Sequence, residues 1–174
     1  MSTTSLSSLD LAQFCARYLA AWNSHDVAAI ADLVTDDVVY EDPALPEPAR
    51  GAVALKDFMR QVWVAFPDLR FDEGDDPHLS VAGDRVAWAW RMCGINTGPI
   101  DPPGFAPTGR AIEIEGVDLW TMRDGRIARL RVFYDVNALA VQLGLTPAAG
   151  SRMERAAVAL QRLQARVATR RPGS

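Results

Sequence analysis

The sequence predicts an α+β fold in which helices pack on one face of a curved antiparallel sheet. Apolar residues recur at helical spacing in the first third of the chain, and from Pro67 onward they alternate with polar residues, as in strands. The 174 residues, 49% of them hydrophobic, suit a single globular core and exclude a disordered chain. We therefore expect helices first, then a run of antiparallel strands and a small closing helix.

Three helices are predicted before the main strands. The first covers residues 8–23, where apolar residues share one helical face and Ser7 or Ser8 supplies the N-cap. The apolar spacing predicts a second, shorter helix over 27–34 and a third over 55–66.

A short strand, residues 38–41, is predicted between the second and third helices. It ends at Asp42, because a residue that precedes proline is driven to an extended conformation. The segment 43–50 contains three prolines and is expected to be a loop.

Alternation predicts a long strand with Val86, Trp88, Trp90 and Met92 on one face. The loop 96–110 follows with four prolines and three glycines, a length and composition typical of an active-site lid.

The remaining strands and the closing helix have clear limits. Strands are predicted over 111–122 and 126–134, joined by an Asp-Gly hairpin turn at 123–126. A short helix then runs from Val136 to Leu143 and ends at Gly144.

The charge distribution divides the chain into a domain, residues 1–148, and an extension, residues 149–174. Residues 1–150 hold 12 basic and 21 acidic side chains, whereas residues 151–174 hold six arginines and one glutamate. A regular apolar stripe predicts a basic amphipathic helix over 151–169 that packs on the domain or on a second subunit rather than on an acidic partner.

Composition excludes several classes of function. The net charge of −4 argues against a nucleic-acid surface, and two cysteines cannot form a disulfide framework or a zinc cage. His25 and His78 lack spaced partners, so no metal site is expected. No apolar run is long enough to span a membrane and no export signal is visible, so we expect no membrane association and a cytoplasmic location.

Three polar residues interrupt the apolar patterns: Tyr18 on the first helix, Asp42 at the end of the first strand, and Asp118. In isolation, Tyr18 is expected to be a core tyrosine and Asp42 a turn-forming residue. Asp118 shares the parity of Ile112, Ile114 and Trp120 in its strand.

A carboxyl group on an apolar strand face is costly unless it is paired or protonated, so Asp118 is interpreted as a functional residue. A bulge at Gly116 would reverse its parity. Asp68 can cap a strand or point inward, and Asp135 is expected to cap the last short helix.

From about Leu11 to Gly144 the sequence resembles the nuclear transport factor 2-like superfamily, in its SnoaL-like and ketosteroid isomerase-like branch. The segments that resemble SnoaL-type polyketide cyclases are Val117-Asp118-Leu119-Trp120, Asp124-Gly125-Arg126-Ile127 and Gln142-Leu143-Gly144. Those that resemble the isomerases are Ala16-Arg17-Tyr18, Asp36-Asp37 and Glu41-Asp42-Pro43. The resemblance implies a cone, in which a curved sheet and three helices surround a deep apolar pocket.

The resemblance also implies roles for the three polar residues. Tyr18 and a protonated Asp118 would donate hydrogen bonds to an oxyanion, and Asp42 would move the proton. The sequence departs from its relatives elsewhere: Val132 occupies the position of the essential cyclase aspartate, and Arg85-Val86-Ala87 replaces the Arg-x-Asp pair of limonene-type epoxide hydrolases. Val34 and Met59 replace tyrosines that support the isomerase site.

The expected function is cofactor-independent acid/base catalysis, isomerisation or cyclisation, on a bulky apolar polyketide- or terpenoid-like intermediate of secondary metabolism, such as antibiotic biosynthesis. Alternatives are an epoxide hydrolase or a polyether-type epoxide-opening cyclase, a non-catalytic binder of a small apolar ligand, and an adaptor. The resemblance further implies a homodimer. The expected contacts with the small apolar substrate are Tyr40, Trp63, Trp88, Trp90, Phe105 and Val132.

Overall fold

The computed structural model describes residues 8–74 and 76–168, and it has four helices and seven strands in these ranges. The helices are α1 (Ser8–Asn23), α2 (Gly51–Ala65), α3 (Val136–Leu143) and α4 (Arg152–Ala168). The strands are β1 (Val34–Glu41), β2 (Ala49–Arg50), β3 (Arg70–Glu73), β4 (His78–Leu79), β5 (Arg85–Ile95), β6 (Ala111–Arg123) and β7 (Arg126–Tyr134).

All seven strands belong to one open, curved sheet. Its order is β2-β1-β7-β6-β5-β3, and β4 pairs with the other part of β5. The expected antiparallel arrangement holds for every pair except β1 and β7, which run parallel. The α+β fold class is confirmed, and the sheet is mixed rather than purely antiparallel.

The predicted second helix is absent. Residues 27–33 form successive turns, closed by hydrogen bonds such as Ala31 N to Ala28 O and Leu33 N to Ile30 O, and β1 begins at Val34. Ile30, Leu33 and Val34 are buried, as their spacing required. The segment is too short to recover the cost of nucleating a helix, and the β-branched Val34 suits a strand.

The core lies between the concave face of the sheet and helices α1 and α2. Trp88, Trp120, Phe14 and Met59 are among the largest fully buried side chains, and they come from both layers. The ring centroids of Phe14 and Trp120 are 5.6 Å apart in an edge-to-face contact, so α1 packs directly on the middle of β6.

The elements around the hairpin and α3 agree with the sequence-based limits. Asp124 and Gly125 have φ angles of 52° and 74°, which a two-residue type I′ hairpin requires. Asp135 accepts a hydrogen bond from Ala138 N and so caps α3, and Gly144 ends that helix with a φ of 75°.

The C-terminal extension forms α4, whose apolar side chains are exposed. Met153 is 72% exposed, Leu160 56% and Leu163 59%, so the expected packing of this helix on the domain is not found in the described part of the chain. The alternative, packing on a second subunit, stays a prediction. Ser7, Arg170 and the end of the predicted helix lie outside the described residues, as do the side chains of Val167 and Ala168.

Candidate active site

The concave side of the sheet, α1 and α2 enclose an apolar cavity of about 1020 Å³, including its open mouth. Its wall is almost entirely apolar, which suits an apolar ligand. Most of the residues singled out from the sequence meet in its wall. They are Tyr18, Tyr40, Asp42, Trp88, Trp90, Asp118 and Val132.

Two expected substrate contacts lie elsewhere. Trp63 is buried outside the cavity wall, where its ring stacks on His25 with centroids 5.0 Å apart. Phe105 is 42% exposed on the loop 96–110 and pairs with Ile100. Both residues were expected to contact the substrate because they are aromatic, but aromatic side chains also serve in core packing and in loops.

Asp118 points into the cavity from the middle of β6, with only 3% of its surface exposed. The pairing of β5 with β6 is continuous through Gly116, so no bulge reverses the parity of Asp118. Two indoles hold the carboxyl group: Trp90 Nε1 donates to Oδ1 at 2.8 Å, and Trp120 Nε1 donates to Oδ2 at 3.2 Å.

Burial raises the pKa of Asp118 to about 7, because the interior disfavours the charged form. The hydrogen bonds from Trp90, Trp120 and Tyr18 act in the opposite direction by stabilising the carboxylate, whereas the nearby charge of Asp42 raises the pKa further. Asp118 is therefore a carboxyl group that holds its proton at weakly acidic pH.

Tyr18 lies beside Asp118 because α1 crosses β6 at this point. Its hydroxyl is close enough to Asp118 and Trp22 for both to influence its pKa, and its ring centroid lies 5.0 Å from that of Trp120. Burial raises the pKa of Tyr18 well above its usual value, so the hydroxyl keeps its proton and can only donate to a developing negative charge.

Asp42 faces the same cavity from the end of β1, where Pro43 stops the strand. Tyr134 Oη and Ala44 N donate to Oδ1 at 3.0 and 2.8 Å, and Tyr40 Oη donates to Oδ2 at 3.1 Å. A carboxylate has about four lone-pair positions, so these three donors leave one position open, on Oδ2.

Burial raises the pKa of Asp42, and the hydrogen bonds from Ala44, Tyr134 and Tyr40 partly offset this by stabilising its charge. Asp42 is thus an oriented base that is stronger than an exposed carboxylate.

Tyr134 is the site residue that sequence analysis missed. It ends β7 on the same side as Val132, and burial raises its pKa above the usual range, so it stays a hydrogen-bond donor to Asp42. Tyr134 alternates in step with Leu130 and Val132 along the strand, and this spacing could have revealed that its phenol faces inward with them.

The charges of the cavity wall are all acidic. Asp42, Asp118 and, at the mouth, Asp101 line the cavity, and no lysine, arginine or histidine of the described residues does so. No positive side chain is therefore placed to compensate a carboxylate or phosphate group of a bound molecule, which favours an uncharged ligand.

The loop 96–110 closes one side of the mouth with Ile100, Asp101 and Pro102. Its base is anchored by the fully buried Asn96, whose amide nitrogen donates to Ala65 O and Gly98 O. The side-chain oxygen of Asn96 accepts from the backbone nitrogen and the hydroxyl of Thr108. The loop is thus fixed at both ends beside the cavity, as a lid requires.

The weaker candidates have structural roles. Asp68 Oδ1 accepts from Ile95 N at 2.8 Å, and His25 Nε2 lies 3.1 Å from Leu69 O. Arg91 pairs with Glu113 and Glu115 on the outer face of the sheet. Among the residues that the structure describes, no group of three or more His, Cys, Asp or Glu side chains could hold a metal ion. None of the described helices is long and apolar enough to cross a membrane.

Comparison with solved structures finds several proteins of similar fold. TsrD from Streptomyces laurentii is 24% identical, with a TM-score of 0.70 and coverage of 81% of this chain and 99% of that one. IdmH from Streptomyces antibioticus, a proposed polyketide cyclase, is 26% identical, with a TM-score of 0.62 and coverage of 76% of this chain and 97% of that one.

A third similar structure is that of the epoxide hydrolase/cyclase-like enzyme SalBIII, which acts in pyran ring formation in the polyether salinomycin. It is 23% identical, with a TM-score of 0.62 and coverage of 76% of this chain and 95% of that one. A search of the curated proteins gave no significant match. The family model of the SnoaL-like polyketide cyclases matches residues 12–143, which include every residue of the site described above, and the chain belongs to that family.

Proposed function

We propose that this protein is a cofactor-independent acid/base enzyme that cyclises or isomerises an uncharged, apolar polyketide- or terpenoid-like carbonyl compound. One observation carries the proposal. The buried carboxyl group of Asp118 and the half-buried one of Asp42 face one apolar cavity without a positive partner there, and Asp42 is oriented with one lone pair open. Carboxyl groups in such surroundings have proton affinities suited to catalysis near neutral pH.

The proposed reaction begins with proton removal. Oδ2 of Asp42 takes a proton from the carbon next to the substrate carbonyl. The electron pair of that C–H bond forms a C=C bond, and the π pair of the carbonyl group moves to its oxygen, which gives an enolate. Tyr18 and protonated Asp118 donate hydrogen bonds to this oxygen, and their placement before the reaction lowers the cost of the developing charge.

The enolate then has two productive fates. In isomerisation, Asp42 returns the proton to the γ carbon, which moves the double bond into conjugation. In cyclisation, the enolate carbon attacks a second carbonyl of the same molecule, the π pair of that carbonyl moves to its oxygen, and the new alkoxide takes the proton that Asp42 removed. The lid 96–110 excludes water and so favours either fate over hydrolysis.

The experiment uses a β,γ-unsaturated cyclohexenone, whose conversion to the conjugated enone is followed by ultraviolet absorbance. The wild-type protein is expected to catalyse the conversion, and Asp42→Asn is expected to reduce kcat by at least ~10²-fold, the usual contribution of a general base. Binding of naphthol, an uncharged aromatic probe of the cavity, should be unchanged in this variant.

Asp101→Asn is the matched control, since Asp101 also lines the cavity but lies exposed at its mouth. It should keep its activity. Naphthol binding without turnover by the wild-type protein would favour a non-catalytic binder, and full activity of Asp42→Asn would exclude Asp42 as the base.

Epoxide opening is the second candidate, and the similarity to SalBIII favours it. The same groups would serve, since Asp42 can deprotonate an attacking hydroxyl while Tyr18 and Asp118 donate to the epoxide oxygen. An epoxy alcohol tests this directly: a cyclic ether indicates ring closure, a triol indicates hydrolysis, and an unchanged epoxide excludes this candidate.

The homodimer remains a prediction supported by the outer face of the sheet. Val117, Leu119 and Phe133 are 38%, 37% and 45% exposed there, on neighbouring strands. Light scattering measures the mass in solution, and a monomer at micromolar concentration would contradict the prediction.

A further inference from the structure

Gly116 occupies a position on β6 where an apolar side chain would be expected. It lies between Ile114 and Asp118 on the inward-facing side of the strand, and it is buried. Its φ angle lies outside the left-handed region, so the backbone conformation does not require glycine.

The space above Gly116 is filled by an indole from the neighbouring strand. Trp90 is the direct partner of Gly116 in the pairing of β5 with β6. A Cβ atom added at residue 116 would lie 2.3 and 2.4 Å from Cζ2 and Cη2 of Trp90 and 2.9 Å from the backbone oxygen of Phe133, all closer than real Cβ contacts allow; the indole is the closest and the more movable of the two. Any side chain at this position would therefore displace the indole.

The indole lies across β6 in the direction of Asp118. In this orientation Trp90 Nε1 donates to Asp118 Oδ1 at 2.8 Å, the shorter of the two indole hydrogen bonds to that carboxyl group. Phe71 and Tyr134 contact the Trp90 ring, with centroids 5.3 and 6.2 Å away. The ring is thus held by its neighbours, and the missing side chain of Gly116 provides the room.

We propose that Gly116 is a positioning residue for the proposed reaction, because its missing side chain lets the Trp90 indole lie across β6 and donate its hydrogen bond to Asp118. This inference rests on the proposed function, in which protonated Asp118 donates a hydrogen bond to the substrate oxygen.

Other groups around Asp118 also influence its pKa. Tyr18 faces it from α1, and Asp42 and Tyr40 influence it from the end of β1. The residues directly opposite on β5 and β7 are Trp88 and Val132, neither of which titrates. Of the contacts that favour the charged carboxylate, the one from Trp90 is the largest, so its loss should increase the proton affinity of Asp118.

The test measures the titration of Asp118 by carbon NMR in the full chain, with Gly116→Ala, Trp90→Phe and the double variant. A hydrogen bond to a charged group is strong enough to change proton affinity by roughly tenfold, so each single variant should raise the pKa of Asp118 by about one unit. The double variant should show no further change, since both substitutions remove the same hydrogen bond.

Gly94→Ala is the matched control. Gly94 is buried in β5 of the same sheet, and a Cβ atom there would meet its neighbours only at ordinary distances of 3.4–3.5 Å. An equal shift in this control, or additive shifts in the double variant, would overturn the proposal. Trp90→Phe keeps a ring in place without the N–H donor, so an unshifted Asp118 in that folded variant would overturn it even if Gly116→Ala failed to fold.

Turnover of the β,γ-unsaturated cyclohexenone gives a second measurement. If protonated Asp118 is the donor, the alkaline limb of kcat/KM should move to higher pH by the same amount in both single variants. Absence of turnover in the wild-type protein would contradict the proposed function, whereas the NMR titration needs no substrate and would still decide whether Gly116 acts through Trp90 on Asp118.

Discussion

Replacement of Asp118 by asparagine should make the protein's stability less dependent on pH. Burial moves the pKa of Asp118 from 3.8 to about 7 in the folded protein. Since one unit corresponds to about 1.4 kcal/mol, the ionised carboxyl group costs the folded state ~4 kcal/mol relative to the protonated one.

The direction of the effect follows from the raised pKa. The folded state binds the proton more tightly than the unfolded state, so this contribution to stability is fully present below about pH 4 and is lost as the pH rises through about 7. Asparagine has the same shape and carries no charge, so the variant avoids the loss. It provides one side-chain oxygen for the two indoles, which costs ~1–3 kcal/mol at every pH.

Urea unfolding between about pH 4 and pH 8 measures the difference in free energy of unfolding between Asp118→Asn and the wild type. We expect that difference to increase in favour of the variant by ~4 kcal/mol across this range and then to level off. Asp124→Asn is the control, because Asp124 lies exposed in the hairpin turn, where asparagine is equally suitable. A change of less than ~1 kcal/mol in the Asp118 variant would refute the assignment of Asp118 as a desolvated carboxyl group.

Three further substitutions test the surroundings of the two carboxyl groups. Tyr134→Phe removes a donor to Asp42 Oδ1, so the acid limb of kcat/KM should move to higher pH, and an unmoved limb would show that this hydrogen bond does not tune the base. Val132→Asp places a carboxyl group directly opposite Asp118 in the sheet, so NMR should show the pKa of Asp118 raised further. The uncharged control Val132→Asn should leave that pKa closer to the wild-type value. Equal pKa values of Asp118 in the two variants would contradict the reasoning. Asn96→Ala removes the hydrogen bonds at the base of the lid and should destabilise the protein by ~2–4 kcal/mol in urea unfolding while naphthol dissociates faster; unchanged dissociation would show that the lid does not control access.

The local elements of this fold are predictable because neighbouring residues determine them. The strand 126–134, the α3 cap at Asp135 and the hairpin at Asp124-Gly125 follow from alternation, capping and turn chemistry, and the structure has them at those positions. The parallel pairing of β1 with β7 was not predictable in this way, because it depends on contacts between opposite ends of the domain.

The same distinction applies to the site. Asp118 was recognisable because an aspartate on an apolar strand face is anomalous within its own strand. Tyr134 and Trp90 carry no such anomaly, and their roles depend on distant partners, since the Tyr134 hydroxyl reaches Asp42 over 92 positions of sequence and the Trp90 indole reaches Asp118 over 28. Trp63 was expected to contact the substrate but lies outside the cavity wall, because its sequence pattern does not reveal which side of the helix faces the cavity.

The parallel pairing of β1 with β7 also determines when the candidate site is completed during synthesis. Asp42 at the end of β1 is made early, but its Tyr134 donor is at the end of the last strand, so a nascent chain carries Asp42 with only its local donors, beside an open strand edge. Insertion of β7 between β1 and β6 closes that edge and orients the base in a single event. Partly made chains therefore lack the complete site, and the interval before insertion is when the exposed edge of β1 is most prone to aggregation.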